Sequence, residues 1–150
     1  MRPLRQQENL VVETILEEPL ILALPEAHPL AAHAKVKVRS LTNEAFILGQ
    51  RSSGCGWYDQ VITLCRRAGF SPHVVQEVNE MQVLLGLVAA GLGIAIVSGA
   101  AKQFQRSGVV YRELQPASLE VALAIVWRED NLSVVLQSFL KTVREVSVSL

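Results

Sequence analysis

Short apolar runs alternate with amphipathic segments along most of this chain, and that alternation restricts its fold more than any other feature. Four apolar runs are predicted to be strands, at residues 20–24, 46–48, 73–78 and 94–97. In the segments between them, apolar residues recur every three or four positions, as on the buried face of a helix. Strands that alternate with helices predict an α/β fold with a largely parallel sheet.

Two helices are predicted inside this pattern. The first covers residues 57–68 and ends before Gly69, a residue suited to the left-handed conformation that closes many helices. The second is predicted to begin at Asn79 as its N-cap, with Gln82 as the reciprocal partner, and to end at Gly91. The buried face of the first helix is formed by Trp57, Val61, Leu64, Cys65 and Ala68.

The segment after the second helix continues the same alternation. Gly91 and Gly93 precede the fourth strand, whereas a dinucleotide-binding fingerprint requires glycines after a strand and before a helix. Ser98 follows that strand and is expected to cap a short helix that runs to Phe104. Residues 109–114 are predicted to form a fifth strand. This segment therefore extends the sheet and does not predict a dinucleotide site.

Additional elements flank this central pattern on both sides. Residues 10–16 are predicted to form a separate strand, and residues 119–127 another, with Leu123 on its apolar side. Ser133 is predicted to open a final helix whose buried face includes Phe139. These flanking elements need something else to pack against, because the central unit already accounts for its own layers.

Composition narrows the classes of function. Half of the 150 residues are hydrophobic and 19% are charged, which predicts a packed core. The 14 basic and 14 acidic residues are scattered, so the chain lacks the basic face of a DNA-binding surface. No segment is predicted to span a membrane or to direct export. Cys55 and Cys65 fit reduced thiols, and we expect a cytoplasmic protein.

Three stretches together resemble the effector-binding region of LysR-type transcription regulators, over about residues 2–145. The first is EPLILALPEAHPLA at residues 18–31, with a strand that ends in proline and then His-Pro-Leu-Ala. The second is CRRAGFSP at residues 65–72, a helix end followed by Ala-Gly-Phe-x-Pro. The third is LVAAGLGIAIV at residues 87–97. Each motif is weak alone, but the three are specific in this order and spacing.

The resemblance implies a two-lobed fold of the periplasmic-binding-protein-like type 2 class, with a ligand held between the lobes. Residues 25–117 would form a complete second lobe. Residues 1–24 would be a remnant of the first lobe and a crossover strand, and residues 118–150 the return crossover and a C-terminal helix. The rest of the first lobe and the winged helix–turn–helix that binds DNA are expected to lie outside this chain.

The loop before the first helix is the leading candidate for a ligand site. A helix start exposes unpaired backbone N–H groups and the positive end of the helix dipole, which suits a carboxylate or phosphate. An alternative interpretation is that Ser53 only caps the helix. The resemblance favours a ligand-binding loop, since the family places effector contacts at the matching position. The loop consists of Gln50, Arg51, Ser52, Ser53 and Gly54.

Three further residues are candidate ligand contacts. Asn79 and Ser98 follow predicted strands, and ligands of open α/β sheets bind beyond the carboxyl ends of strands. Asn79 is interpreted first as a helix cap and second as a pocket wall, whereas the two interpretations of Ser98 have equal weight. The resemblance places Arg2 near the cleft, where some members of the family hold an arginine against an acidic effector. A solvated terminal arginine is the alternative for Arg2.

No cofactor, metal site or catalytic set is predicted. The three histidines have no metal-ligand spacing, and His28 with Pro29 indicates a turn. Cys55 has no general base fixed beside it in sequence, and Cys65 belongs to the apolar face of a helix. The remaining histidines are His33 and His73.

The sequence therefore predicts a sensor and not an enzyme. A small anionic metabolite is expected to bind between the lobes and to control DNA binding by the absent head of a homodimer or homotetramer. A solute-binding protein of a transporter, or an enzyme on a similar α/β scaffold, are the alternatives left open.

Overall fold

The structure is a computed structural model that describes residues 9–53, 56–116 and 120–147. Its contacts divide the chain into two compact units. Unit 1 combines Met1–Glu18 with Glu120–Leu150, and unit 2 is Pro19–Leu119. The long strand β1 (Leu10–Pro25) contributes residues to both units.

Strand β1 corrects one prediction from the sequence. Residues 10–16 and 20–24 were expected to form separate strands, but they belong to one strand of 16 residues. Pro19 lies between them and does not end the strand, because its fixed φ is compatible with extended backbone and it removes only one N–H donor. Residues 20–24 are the buried part of the strand, with exposed fractions of 0–6%.

The main sheet of unit 2 is mixed. Its strand order is β2 (Lys35–Lys37), β6 (Val109–Gln115), β1 and β5 (Ala95–Ser98). Strand β1 runs antiparallel to both β5 and β6, so Leu22 pairs with Ile96 on one side and with Arg112 on the other. Strand β2 runs parallel to β6. The predicted α/β character is present, with less parallel pairing than expected in this sheet.

A second pair of strands in unit 2 is parallel. Strand β3 (Ala45–Gly49) pairs with β4 (His73–Val78), and helix α1 (Trp57–Arg67) connects them. Phe46 also forms a parallel bridge with Ile94, immediately before β5. Helix α2 (Met81–Ala89) connects β4 to β5. Strands β3, β4 and β5 therefore run in the same direction.

One core cluster of unit 2 lies between these strands and helix α2. Its buried residues come from β1, β3, β4, β5, α2 and the 3₁₀ helix Gly99–Gln103. Such a cluster is the product of the predicted periodicity, since each strand or helix contributes its apolar positions to the same interior. The members are Ile21, Ala23, Ile47, Val78, Leu84, Leu85, Val88, Ala95, Val97 and Ala101.

Helix α1 agrees with its predicted pattern. Val61, Leu64 and Cys65 are buried, and Gly69 adopts the left-handed conformation with φ 93°. Burial raises the pKa of the Cys65 thiol to about 11. A buried, protonated thiol is poorly nucleophilic, which agrees with the interpretation of Cys65 as a core residue.

The predicted N-cap of α2 is wrong, and so is the alternative interpretation in which Ser53 caps α1. Helix α2 begins one residue later than expected, with Glu80 and not Asn79 at the N-cap position and no side-chain capping bond. Helix α1 has Gly56 at its N-cap, in the left-handed conformation, while Ser53 lies in a preceding 3₁₀ helix. Helix α1 begins at Trp57, as the sequence pattern predicts, whereas the turn before α2 is one residue longer than predicted.

The His-Pro-Leu-Ala motif forms a capped 3₁₀ helix over Pro29–Ala32. His28 Nδ1 accepts a hydrogen bond from the backbone N–H of Leu30 at 3.2 Å, which confirms the predicted turn role of His28. Arg112 donates two hydrogen bonds to the carbonyl oxygen of Ala31, from Nε at 2.9 Å and Nη2 at 2.6 Å. The motif is therefore attached to strand β6.

Unit 1 contains the first part of β1, strand β7 (Glu120–Arg128) and helix α3 (Val134–Ser147). Arg144 of α3 donates to both carboxylate oxygens of Glu13 on β1, at 2.8 and 2.6 Å. Phe139 was expected to face a core, but it is 55% exposed, and Leu123 on the apolar side of β7 is 56% exposed. The described elements of unit 1 are too few to cover every apolar face.

The close approach of Gly93 to Ala45 gives the first prediction. A Cβ atom at Gly93 would lie 2.5 Å from the carbonyl oxygen of Ala45, which accepts a hydrogen bond from Ile94 at 2.8 Å. Gly93→Ala should therefore lower the free energy of unfolding by about 1–3 kcal/mol, as overpacking does. Urea unfolding measures this. Gly99→Ala, whose Cβ would meet neighbours at 3.4 Å, is the control, and an equal loss in both variants would contradict the account.

The burial of Cys65 gives the second prediction. In a Cys55→Ser background, the remaining thiol should not react with Ellman's reagent in the native protein. With a pKa of about 11, only about one thousandth of the thiol is ionised near pH 8. Unfolding in guanidinium chloride should restore one equivalent of rapid reaction. Rapid labelling of the native variant would show that Cys65 is accessible.

Candidate functional site

Three strands of unit 2 end at the same edge. Strands β3, β4 and β5 run in one direction, so their carboxyl ends at Gly49, Val78 and Ser98 meet there. Each strand is followed by the start of a helical segment. Ligands of open α/β sheets bind beyond this edge, because loops and helix starts surround it.

A cavity of about 250 Å³ lies at this edge. Its walls are largely apolar, and polar atoms come from Asn79, Glu80 and Ser98. Small-molecule sites commonly combine an apolar wall with a few polar groups that orient the ligand. The lining residues are Gly49, Trp57, Val78, Asn79, Glu80, Met81, Leu84, Val97 and Ser98.

The side chain of Trp57 forms a fixed part of this wall. Its indole Nε1–H donates a hydrogen bond to the carbonyl oxygen of Ile96 at 3.2 Å. Trp57 is the first residue of α1, and Ile96 lies in β5. The bond therefore connects the start of a helix to a neighbouring strand across the cavity wall.

The starts of two helices face the cavity. Trp57 is the first residue of α1 and Met81 the first residue of α2, and both line the cavity. The first N–H groups of a helix have no partner within the helix, and they carry the positive end of its dipole. Neither helix uses a side-chain capping bond at its N-cap residue. Two helix starts, with their partial positive charge, therefore lie at the edge where the cavity is found.

Glu80 is the one charged residue that lines the cavity within the described part of the chain. No lysine or arginine among those residues faces it. The side chain of Ser98, at the end of β5, makes no capping bond to the 3₁₀ helix that follows. Ser98 lines the cavity, and its hydroxyl is not used as a cap.

The predicted site residues divide into two groups in the structure. Asn79 and Ser98 line the cavity, while Gln50, Arg51 and Ser52 lie outside the described lining. Ser52 Oγ donates to the side-chain oxygen of Gln50 at 3.3 Å. This loop still connects two lining residues, Gly49 and Trp57.

Arg51 contacts two residues of helix α1. Its Nη2 lies 3.2 Å from a carboxylate oxygen of Asp59, and its guanidinium is 5.8 Å from the centre of the Tyr58 ring. The side chain is 71% exposed. Arg51 therefore pairs with the first turn of α1 in this arrangement.

The other predicted contacts are only partly described. The backbone of Ser53 lies in the 3₁₀ helix Arg51–Ser53. Arg2 and Gly54 fall outside the residues that the structure describes.

Sequence patterns assigned most of the cavity wall to the core. Trp57, Met81 and Leu84 repeat with helical spacing, and Val78 and Val97 end apolar strands. Apolar periodicity identifies a buried face but does not distinguish a core from a cavity wall. Their position in the chain could have indicated a cavity wall, because these residues lie among the last two residues of a strand or in the first turn of a helix.

Residues 9–53, 56–116 and 120–147 contain neither a candidate metal cluster nor a candidate membrane-spanning helix. Within those ranges no group of three His, Cys, Asp or Glu residues is placed to hold a metal ion. No helix there is both long enough and apolar enough to cross a membrane.

The chain resembles proteins of known class over nearly all its length. Residues 1–147 match the family described as LysR substrate binding domain. The HTH-type transcriptional regulator AlsR of Bacillus subtilis is 33% identical over 140 residues, covering 93% of this chain and 46% of AlsR. The HTH-type transcriptional regulator CatR of Pseudomonas putida is 31% identical over 133 residues, covering 89% of this chain and 46% of CatR. This chain spans about half the length of these relatives.

Solved structures identify the fold. The BenM effector binding domain with its effector benzoate matches with a TM-score of 0.83 and 23% identity, over 97% of this chain and 67% of that chain. Such domains have the periplasmic-binding-protein-like type 2 fold, so the expected fold class is confirmed. With the family match over residues 1–147, the chain belongs to the LysR substrate-binding domain family.

Proposed function

We propose that this chain senses a small effector for a LysR-type transcription regulator, and that the cavity at Trp57, Asn79 and Ser98 binds that effector. The observation that carries the proposal is the cavity itself, at the common end of β3, β4 and β5. It combines apolar walls with unused polar groups and two helix starts. Domains of the same family are sensors, which supports a binding role over a structural one.

The ligand's chemistry follows from the walls of the cavity. An apolar body fits against Trp57, Met81 and Leu84, which are largely hydrocarbon or aromatic. An anionic head group is favoured by the starts of α1 and α2, since helix N-termini stabilise negative charge. The carboxylate of Glu80 opposes an anion, so the head group is best placed on the side of Ser98. We therefore infer a small carboxylate with an apolar body.

The loop Gln50–Arg51–Ser52–Ser53–Gly54 remains part of the proposed site. It joins Gly49 to Trp57 by way of Gly56, and both ends line the cavity. Arg51 would have to leave Asp59 to reach a ligand. Arg2 is proposed as a contact only from the family resemblance. BenM, whose domain shares this fold, was solved with benzoate, a carboxylate with an apolar ring.

In the whole protein, effector binding would control DNA binding. AlsR and CatR are HTH-type transcriptional regulators, which favours this role over a transporter's solute-binding protein or an enzyme. We assign residues 25–117 to the second lobe, and residues 1–24 and 118–150 to the first lobe and its crossovers. An effector changes activity only if it binds two arrangements of the protein with different affinity. A homodimer or homotetramer would transmit that difference to DNA.

Substitutions at the polar cavity residues test the proposal. Ser98→Ala and Asn79→Ala should each weaken binding of a carboxylate by about fivefold to tenfold, as expected for one lost hydrogen bond. Isothermal titration calorimetry with a panel of organic acids measures the affinities. Ser138→Ala, an exposed position on α3, is the matched control and should bind as the wild type does. Equal affinity in all four proteins would place the ligand elsewhere.

A further inference from the structure

Gly49 differs from the other close-packed glycines of unit 2. A Cβ atom built at Gly49 would have one close neighbour, Cδ1 of Trp57 at 3.9 Å, which is an ordinary contact. At Gly93, by contrast, the same construction gives a collision with backbone at 2.5 Å. Gly49 also lies outside the left-handed region, where glycine would be required. Neither backbone conformation nor packing demands a glycine at this position.

The absence of a side chain at Gly49 leaves space for a methyl group beside the Trp57 indole, because a Cβ atom there would make ordinary contact with Cδ1 at 3.9 Å. Gly49 ends strand β3, where glycine weakens a strand relative to residues with side chains. Both Gly49 and Trp57 line the cavity. Glycine at position 49 therefore enlarges the cavity, and the backbone conformation at that position does not require it.

Trp57 provides a rigid boundary on the other side of that space. The hydrogen bond from its Nε1 to the carbonyl oxygen of Ile96 is 3.2 Å long and holds the ring between α1 and β5. A different rotamer would lose this bond. The hydrogen bond therefore holds the indole in one position beside Gly49.

We propose that Gly49 and Trp57 together set the length of the apolar body that the cavity accepts. This inference rests on the proposed function, since it concerns the ligand of the same cavity. A missing side chain at Gly49 keeps the space open, and the anchored indole of Trp57 closes its end. A cavity can select ligands by size only if its wall is rigid. The hydrogen bond from Trp57 to Ile96 makes this part of the wall rigid.

Two substitutions should change the accepted length in opposite directions. Gly49→Ala adds a methyl group in ordinary contact with Trp57, so it should shift the preference toward shorter ligands. Trp57→Phe removes one ring and the bond to Ile96, so it should shift the preference toward longer ligands. One methylene group in an apolar pocket changes affinity by about tenfold or more. We therefore expect about a tenfold change in the ratio of affinities for neighbouring chain lengths.

Calorimetric affinities of the chain for straight-chain carboxylates from butanoate to decanoate test this directly. The wild type, Gly49→Ala and Trp57→Phe are compared, with Trp127→Phe on β7 as the control for loss of a tryptophan. The control should keep the wild-type optimum. Circular dichroism checks that each variant folds. If Trp57→Phe does not fold, Gly49→Ala alone tests the proposal: a shift of its optimum toward shorter acids supports it, and any other result overturns it.

The outcomes separate the two proposals. Opposite shifts in the optimal length support the size rule. Uniform weakening of all acids, or shifts in the same direction, would overturn the rule and leave the cavity as a binding site. If no carboxylate binds even to the wild type, the proposed function is overturned, and the size rule with it.

Discussion

The parallel alignment of β3, β4 and β5 is the constraint on which the site depends. Ile94 donates a backbone hydrogen bond to Ala45 at 2.8 Å, and Ile47 donates one to Ile94 at 2.8 Å. These bonds set the direction of β5 beside β3, while β4 pairs with β3 on its other side. As a result three strand ends and the starts of α1 and α2 share one edge, and this shared edge creates the cavity.

The chemistry of the cavity follows from how each connection leaves its strand. The N-cap residues of helices α1 and α2 make no side-chain capping bond at this edge, and the first N–H groups of a helix have no partner within it. The apolar residues in those same first turns give the cavity its walls. Positive charge therefore comes from backbone groups, while the nearby Arg51 is engaged with Asp59. An amphiphilic anion fits this combination better than a small inorganic ion does.

The fold was predictable where periodicity is strong, as for residues 20–24 in β1 and for the buried face of α1. Connections were less predictable: one extra residue in the turn after β4 displaces the N-cap from Asn79 to Glu80. The partner of Arg51 was also hidden, because a loop sequence does not reveal which carboxylate lies nearby. Trp57 was assigned to a core for a related reason. Its helical spacing was interpreted correctly, but only the structure shows that its ring borders an open cavity.

An NMR titration of the isotope-labelled chain tests most directly whether the cavity at the end of β3, β4 and β5 binds the effector. The added ligand is the carboxylate that binds tightest in calorimetry. We expect the largest amide shifts at Gly49, Met81 and Ser98, and we expect the indole N–H signal of Trp57 to shift with the same affinity. The claim would be contradicted if those signals stayed constant while the amides of β7 or α3 in unit 1 moved.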